Sequence, residues 1–326
     1  MKAVGLLSGG LDSTLAVKMI LEMGIDVVAL KFTSPFCQCD SGGCCHAAEV
    51  AREMGVPLEM ISKGDDYLAV VRKPRHGYGV GMNPCIDCRI FMLKKAKEYM
   101  ESCGAAFLFT GEVLGQRPMS QHRRAMATIE KECGLEGKIV RPLSAHHLAP
   151  TEAELKGWID REKLLGIHGR GRKPQFAMAE AYGLKGFACP AGGCLLTDKN
   201  FAARLRDLFQ HRETVTLRDI PLLKSGRHFR WGERKIICGR DEVDNKKLKA
   251  FCGEKDKLLS CVDCMGPIVL VEDPLDEATV RVAAEIAAAY SRAETEEVLV
   301  RCKGDGATSE ILVKRQVREA FQPFHI

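Results

Sequence analysis

KAVGLLSGGLDST, residues 2–14, runs from an apolar segment through two glycines into a helical pattern. Residues 2–7 read as a buried parallel strand. Further on, Ala16, Met19, Ile20 and Met23 share one helical face, and Gly24 stops the helix. DVVALKF, residues 26–32, supplies the next strand. Between strand and helix, Gly9 and Gly10 allow a tight turn, so loop and helix N-terminus present N–H donors to an anion. Ser8, Ser13 and Thr14 add hydroxyls. Asp12 repels phosphate and reads as a Mg²⁺ partner or a loop-shaping group. No Lys follows the glycines, so this is not a Walker A loop.

The strand–loop–helix–strand unit recurs. A helix from about Cys45 to Met54 precedes a strand near Leu58–Ile61, and a long helix from about Ile86 to Ser102 leads to the strand Ala106–Thr110. This predicts an α/β fold, a doubly wound parallel sheet covered on both faces. Residues 151–210 read as mostly helical, with Gly-rich interruptions. Beyond about 220 the pattern changes: Arg227–Trp231 and Arg234–Cys238 flank a Gly-Glu turn as a hairpin, followed by a polar helix, two short strands around Gly266-Pro267 and a helix at about Leu275–Tyr290. The expected division is an anion-binding domain over 1–145, a mostly helical extension over 146–215 and a smaller α+β domain over 216–326.

The 326 residues are 46% hydrophobic and 28% charged, which excludes extended disorder. No apolar run reaches the roughly 20 residues of a membrane span, and the N-terminus lacks a signal-peptide pattern, so a cytoplasmic protein is expected. For such a protein fifteen cysteines are too many to ignore, and a disulfide framework is the wrong reading. Cys37, Cys39, Cys44 and Cys45 cluster, as do Cys85 with Cys88, Cys189 with Cys194, and Cys261 with Cys264. Cys103, Cys133 and Cys302 read as packing thiols. Residues 199–250 carry 14 Lys/Arg against 7 Asp/Glu, net +7 where the whole chain is +5, and HGRGRK at 168–173 adds to the skew. A polyanion such as RNA fits that charge, as does a solvated surface.

SGGLDST resembles the PP-loop of the ATP pyrophosphatases, which cleave ATP to AMP and pyrophosphate. TGEVLGQ at 110–116 with Ser120-Gln121, and Arg141-Pro142-Leu143 after it, resemble the tRNA 4-thiouridine synthetases. NPCIDC at 83–88 and the stretch CCHAAEVAREMGVPL are closer to the tRNA 2-thiouridine synthases. The resemblance covers roughly residues 1–200. It implies an ATP-dependent tRNA sulfurtransferase that adenylates a uridine carbonyl oxygen and then replaces it with sulfur. By it, Leu6, Leu7, Ser8, Gly9, Gly10, Leu11, Asp12 and Ser13 hold the ATP phosphates, Phe32 lies by the adenine and Gly111 near the ribose or α-phosphate. Ser8, Phe32 and Gly111 all stand at carboxyl ends of expected strands, where open α/β sheets bind ligands.

Sulfur chemistry then needs thiols. Cys85 and Cys88 open the long helix, whose N-terminal dipole favours thiolate. Cys194, in Cys189-Pro-Ala-Gly-Gly-Cys194, resembles the second catalytic cysteine of the 2-thiouridine synthases, which commonly have Asp where this chain has Cys85. A Cys at that position resembles the cluster-dependent enzymes, in which a CxxC pair and a distant Cys hold a [4Fe–4S] cluster with one open iron. Cys85, Cys88 and Cys194 are therefore expected to ligate a cluster. The other route is a persulfide on Cys194 resolved by Cys88. Cys189 remains open as the third thiol in place of Cys194. The sulfur donor is a cysteine desulfurase, a sulfur carrier or free sulfide.

Cys37, Cys39, Cys44, Cys45 and His46 leave three readings open: a Zn²⁺ site, sulfur handling, or free thiols that are merely close. Residues 226–271 resemble the RNA-binding domain of NFACT-type ribosome-quality-control proteins, although Cys261 or Asp263 stands where a His is expected. That implies tRNA contacts from Arg227, Arg230 and Arg240 to phosphates and from Trp231 to a base. The competing functions are a PP-loop sulfurtransferase or amidating ligase for a small molecule, and a non-catalytic RNA-binding metal protein.

Overall fold

The structure is a computed structural model that describes residues 1–37, 46–184, 193–273, 276–304 and 306–326. Two compact units emerge, Met1–Asp198 and Lys199–Ile326.

In the first unit, β1 (Lys2–Leu6), β2 (Asp26–Thr33), β3 (Leu58–Ser62), β4 (Phe107–Thr110) and β5 (Ile139–Val140) form one sheet in the order β3-β2-β1-β4-β5. Every pairing is parallel. The short apolar runs read from the sequence are its central strands. Side chains alternate between two layers: Ala3 and Leu7 join one core, Val4 and Leu6 the other. Helix Leu11–Glu22 covers the first face with Leu15, Ala16, Met19 and Ile20. Helices Cys85–Ser102 and Arg123–Cys133 cover the second with Ile90, Leu93, Ala96 and Ile129. Each such large aliphatic, fully buried, contributes about 1.5–3 kcal/mol. Cys133, expected as a packing thiol, is buried there with its Sγ 3.6 Å from the Ile90 carbonyl. The doubly wound sheet leaves the carboxyl ends of β1, β2 and β4 on one edge.

Over the described residues of 151–210, helical segments alternate with irregular chain. Helices occupy Glu152–Leu155, Lys173–Ala181 and Lys199–His211, but residues 156–172 hold only a 3₁₀ turn at Arg161–Lys163. Gly157 sits at φ 68°, where the chain turns out of helix Glu152–Leu155, and Gly169 at φ 81°, just after the bridge between Leu114 and His168.

The second unit is a six-stranded antiparallel sheet, β6 (Arg227–Trp231), β7 (Arg234–Cys238), β8 (Lys257–Cys261), β9 (Val269–Val271), β10 (Glu297–Gly304) and β11 (Ala307–Lys314), ordered β11-β10-β8-β9-β7-β6. Helix Glu277–Ala289 buries an alanine-rich face against it. Helix Lys199–His211 belongs to this unit, so the division comes before the expected position near 215. Its Asp207 accepts from Arg230 Nε at 2.9 Å and Lys235 Nζ at 2.6 Å, which ties the helix to the β6–β7 hairpin.

Candidate active site

The loop after β1 is shaped from within. Gly9 takes φ 79°, and a Cβ there would lie 2.6 Å from the Ala47 amide nitrogen. The Ser8 amide donates to Ser13 Oγ at 3.2 Å, and the Gly10 amide to Ser8 Oγ at 3.3 Å. Gly10 caps helix Leu11–Glu22 without a side-chain hydrogen bond, so the first turn keeps its N–H groups for an incoming anion. Gly111 lies against this turn: a Cβ there would come within 2.5 Å of the Asp12 carbonyl carbon. Only glycine permits that approach.

A cavity of about 230 Å³ opens at this edge. Leu6, Leu7, Ser8, Gly10, Leu11, Asp12, Ser13, Phe32 and Gly111 line it. Gly9 does not; its part is to turn the chain. Arg89, Arg117, Arg172 and Lys31 line the same cavity and give it cationic walls. Gln116 Nε2 donates to Asp12 Oδ2 at 2.7 Å, and Arg172 Nη2 lies 3.6 Å from that oxygen. Asp12 Oδ1 is buried without a partner among the described residues. Glu112, 3% exposed, accepts from Arg89 Nε and Arg141 Nε, each at 3.1 Å. Burial alone would raise its carboxyl. Arg89 and then Arg141 outweigh burial and hold it below the ordinary carboxylate range.

The thiols gather beside this cavity. Cys85 and Cys88 occupy the first turn of helix Cys85–Ser102. Asn83 Nδ2 donates to Cys85 Sγ at 3.2 Å. Lys63, 7% exposed, reaches Cys88 Sγ at 3.1 Å and stands 4.6 Å above the Tyr67 ring. Cys194 is brought in by an isolated antiparallel bridge to Cys37, with the Leu195 amide donating to the Phe36 carbonyl at 2.8 Å. Cys194 reaches solvent, yet protein packed around its sulfur pushes the thiol up to about 11, with Cys88 and Cys85 adding to the shift. Buried Tyr67 is a neighbour of all three thiols. Burial raises its phenol well above the usual value, and Cys88 is the next cause. Cys37 also lines the cavity. Cys39, Cys44, Cys45 and Cys189 lie outside the described residues. Among the described residues no group of three or more His, Cys, Asp or Glu side chains is arranged to hold a metal ion.

In the second unit the residues read as RNA contacts are engaged internally. Arg230 grips Asp207 through Nε and Nη2, at 2.9 and 2.6 Å. Arg240 Nε donates to Asp244 at 2.6 Å. Arg227 stacks 4.8 Å from the Tyr290 ring centroid and donates to the Gly239 carbonyl at 3.4 Å. Trp231 meets Phe324 edge-on at 4.6 Å. Burial pulls Lys235 down to about 8 despite its pair with Asp207.

Sequence reasoning missed Lys63, Tyr67, Arg89 and Arg117. Arg172 carried a signal, the HGRGRK charge, but it was read as a polyanion surface, and the structure puts this arginine at Asp12.

Residues 1–147 match the family described as Thiamine biosynthesis protein (ThiI), and residues 226–324 the NFACT protein RNA binding domain. The tRNA-specific 2-thiouridylase MnmA of Clostridium acetobutylicum is 34% identical over 123 residues, 32% of this chain and 34% of that protein. A probable tRNA sulfurtransferase of Agathobacter rectalis is 31% identical over 148 residues, 44% of this chain and 36% of that one. The chain thus spans about a third of the length of these curated relatives. A solved 4-thiouridine synthetase–RNA complex with bound ATP is 24% identical, with a TM-score of 0.36, over 68% of this chain and 52% of that one. No helix among the described residues is long and apolar enough to cross a membrane. Residues 1–147 are thus similar to the ThiI family, and residues 226–324 to the NFACT RNA-binding domain.

Proposed function

We propose that the protein is an ATP-dependent tRNA sulfurtransferase of the thiouridine type. The observation that carries this reading is adjacency: a phosphate loop with cationic walls and three thiols share one sheet edge of one unit. A uracil carbonyl oxygen leaves poorly. Transfer of AMP to it makes a good leaving group, and a sulfur nucleophile must then already be at hand. The free N–H groups of the Leu11–Glu22 helix and Ser8 receive the triphosphate, and Phe32 packs by the base. Buried, unpartnered Asp12 Oδ1 suits a Mg²⁺ ion, which would neutralise phosphate charge when bound. Gln116 and Arg172 orient that carboxylate.

Cys85, Cys88 and Cys194 match an open-site [4Fe–4S] cluster in number and donor chemistry and all three act on the Tyr67 phenol, but they are not arranged here around a common metal position. A cluster bound there would present sulfide at its open iron. Asn83 and Lys63 would orient Cys85 and Cys88. A persulfide route is favoured by a different observation: Lys63 Nζ at 3.1 Å compensates an anionic sulfur on Cys88. The second unit supplies tRNA binding, in keeping with the NFACT match and the net +7 of residues 199–250.

The test is anaerobic reconstitution with ATP, Mg²⁺, sulfide and unmodified tRNA. AMP, pyrophosphate and a thiolated nucleoside should form together, the last read by nucleoside mass spectrometry. ATP cleavage that ignores tRNA and follows a small carbonyl or carboxyl compound would replace this reading with the small-molecule one.

A further inference from the structure

The segment Thr110–Gln121 touches both halves of the site. At one end Gly111 lies against Asp12, and Gln116 Nε2 donates to Asp12 Oδ2 at 2.7 Å. At the other end Met119 Sδ accepts from Asn83 Nδ2 at 3.6 Å, and that amide also donates to Cys85 Sγ at 3.2 Å. Arg117 lies between them. The Gln121 side chain pins its backbone amide at 3.1 Å, and its side chain lines the nucleotide cavity.

Three guanidiniums share that cavity. Arg89 is neutralised by Glu112 at 3.1 Å and Arg172 by Asp12 at 3.6 Å. Arg117 makes no ion pair among the described residues. Its side chain reaches solvent while lining the cavity, so it is open to an anion that enters there.

Resting on the function proposed above, we propose that Arg117 is a catalytic residue that holds the α-phosphate of ATP between the phosphate loop and the thiols. The chemistry asks for such a group twice. The uridine oxygen first attacks the α-phosphorus, and the bond to pyrophosphate breaks with its electron pair on the leaving oxygen. Sulfur then attacks the activated carbon, the C–O bond breaks, and AMP leaves with the uridine oxygen and the electron pair. Both transition states gather negative charge on the α-phosphate oxygens. A guanidinium remains charged throughout and binds two such oxygens in a fixed fork.

The test uses the full chain, anaerobic, with tRNA and the two diastereomers of ATP carrying sulfur at the α-phosphate. Wild type should prefer one diastereomer. Arg117→Met should lower kcat/KM for ATP by roughly 100- to 1000-fold and lose that preference, with the thermal melt unchanged. Arg117→Lys should recover part of the rate, and it carries the same stereochemical readout if the Met variant does not fold. Normal turnover with an undiminished preference in both variants would overturn the assignment of Arg117 alone. A wild type that releases no pyrophosphate would overturn the wider reading, and this one with it.

Discussion

Gly9 and Gly10 are adjacent, and the structure assigns them opposite tolerances. Gly9 sits at φ 79°, a conformation that costs an L-residue about 1–2 kcal/mol. A Cβ on it would lie 2.6 Å from the Ala47 nitrogen and 2.9 Å from the His46 carbonyl carbon, both backbone atoms that cannot swing aside. Overpacking of that kind costs a further 1–3 kcal/mol, roughly. Gly9→Ala should therefore destabilise the first unit or displace its loop by about 2–5 kcal/mol in total. Spent on the loop, 3 kcal/mol is roughly a hundredfold in ATP affinity. Gly10 has φ −88°, ordinary for any residue, and its Cβ would meet only Ser8 Oγ at 3.4 Å. Gly10→Ala should fold and bind ATP nearly as wild type, provided its methyl leaves the phosphate room. Thermal melts with and without ATP, and calorimetric titration of ATP, measure both terms. Equal losses in the two variants, or a fully active Gly9→Ala, would refute the reasoning from backbone geometry.

Other outcomes follow from the ion pairs and thiols. Glu112→Gln leaves Arg89 without its carboxylate and Arg141 with Glu130 alone, and should cost about 3–5 kcal/mol by denaturant titration. Because the folded carboxyl of Glu112 is held below its unfolded value, its contribution is complete above about pH 5 and is lost as pH falls through the folded value. Wild type should therefore lose stability more steeply than Glu112→Gln on acidification below about pH 4. Arg230→Ala should lower stability by roughly 3 kcal/mol, since Asp207 loses two hydrogen bonds, while changing the salt slope of tRNA binding little. Joint replacement of exposed Lys247 and Lys249 by Ala should do the reverse, reducing the slope of log K against log salt by about 1.5–2 in filter binding. Anaerobically purified protein should carry iron and labile sulfide and lose both in Cys85→Ala, Cys88→Ala and Cys194→Ala but not in Cys103→Ala. Colourless protein with a sulfur adduct on Cys194 would favour the persulfide route.

What was legible in the sequence was local. The loop, its strand and its helix lie within residues 2–22, and their periodicity and glycines carry their whole structure. The β6–β7 hairpin was read to the residue for the same reason, with Gly232 at φ 56° in its turn. The missed helices Asp65–Arg72 and Arg123–Cys133 are short, though Tyr67, Leu68 and Val71, and Met126, Ile129 and Cys133, recur at helical spacing; strand β11 is mostly exposed and shows no apolar alternation. The site's missed residues are long-range. Lys63 follows β3 and meets a cysteine 25 positions later only because β3 and helix Cys85–Ser102 end on the same edge. Arg172 is 160 residues from Asp12. Nothing in either neighbourhood of sequence announces the meeting.

The same distinction between pattern and pairing governs the second unit. A count of charges treats every arginine as a free cation, but a buried carboxylate cancels its partner where the partner stands. Asp207 consumes Arg230 and Lys235, Asp244 consumes Arg240, and Asp219 with Glu272 consumes Arg212. These pairs hold helix Lys199–His211 and the loop after it against the hairpin, which is a structural use of basic residues. The field felt by a polyanion comes from what remains, such as Lys199, Arg206, Arg218, Lys247 and Lys249, all exposed. These residues lie on different helices and loops, so they suit phosphate contacts along a backbone more than the reading of a single base. On the proposed function, the unit is better matched to positioning an RNA than to identifying it, and the choice of nucleotide would fall to the cavity of the first unit.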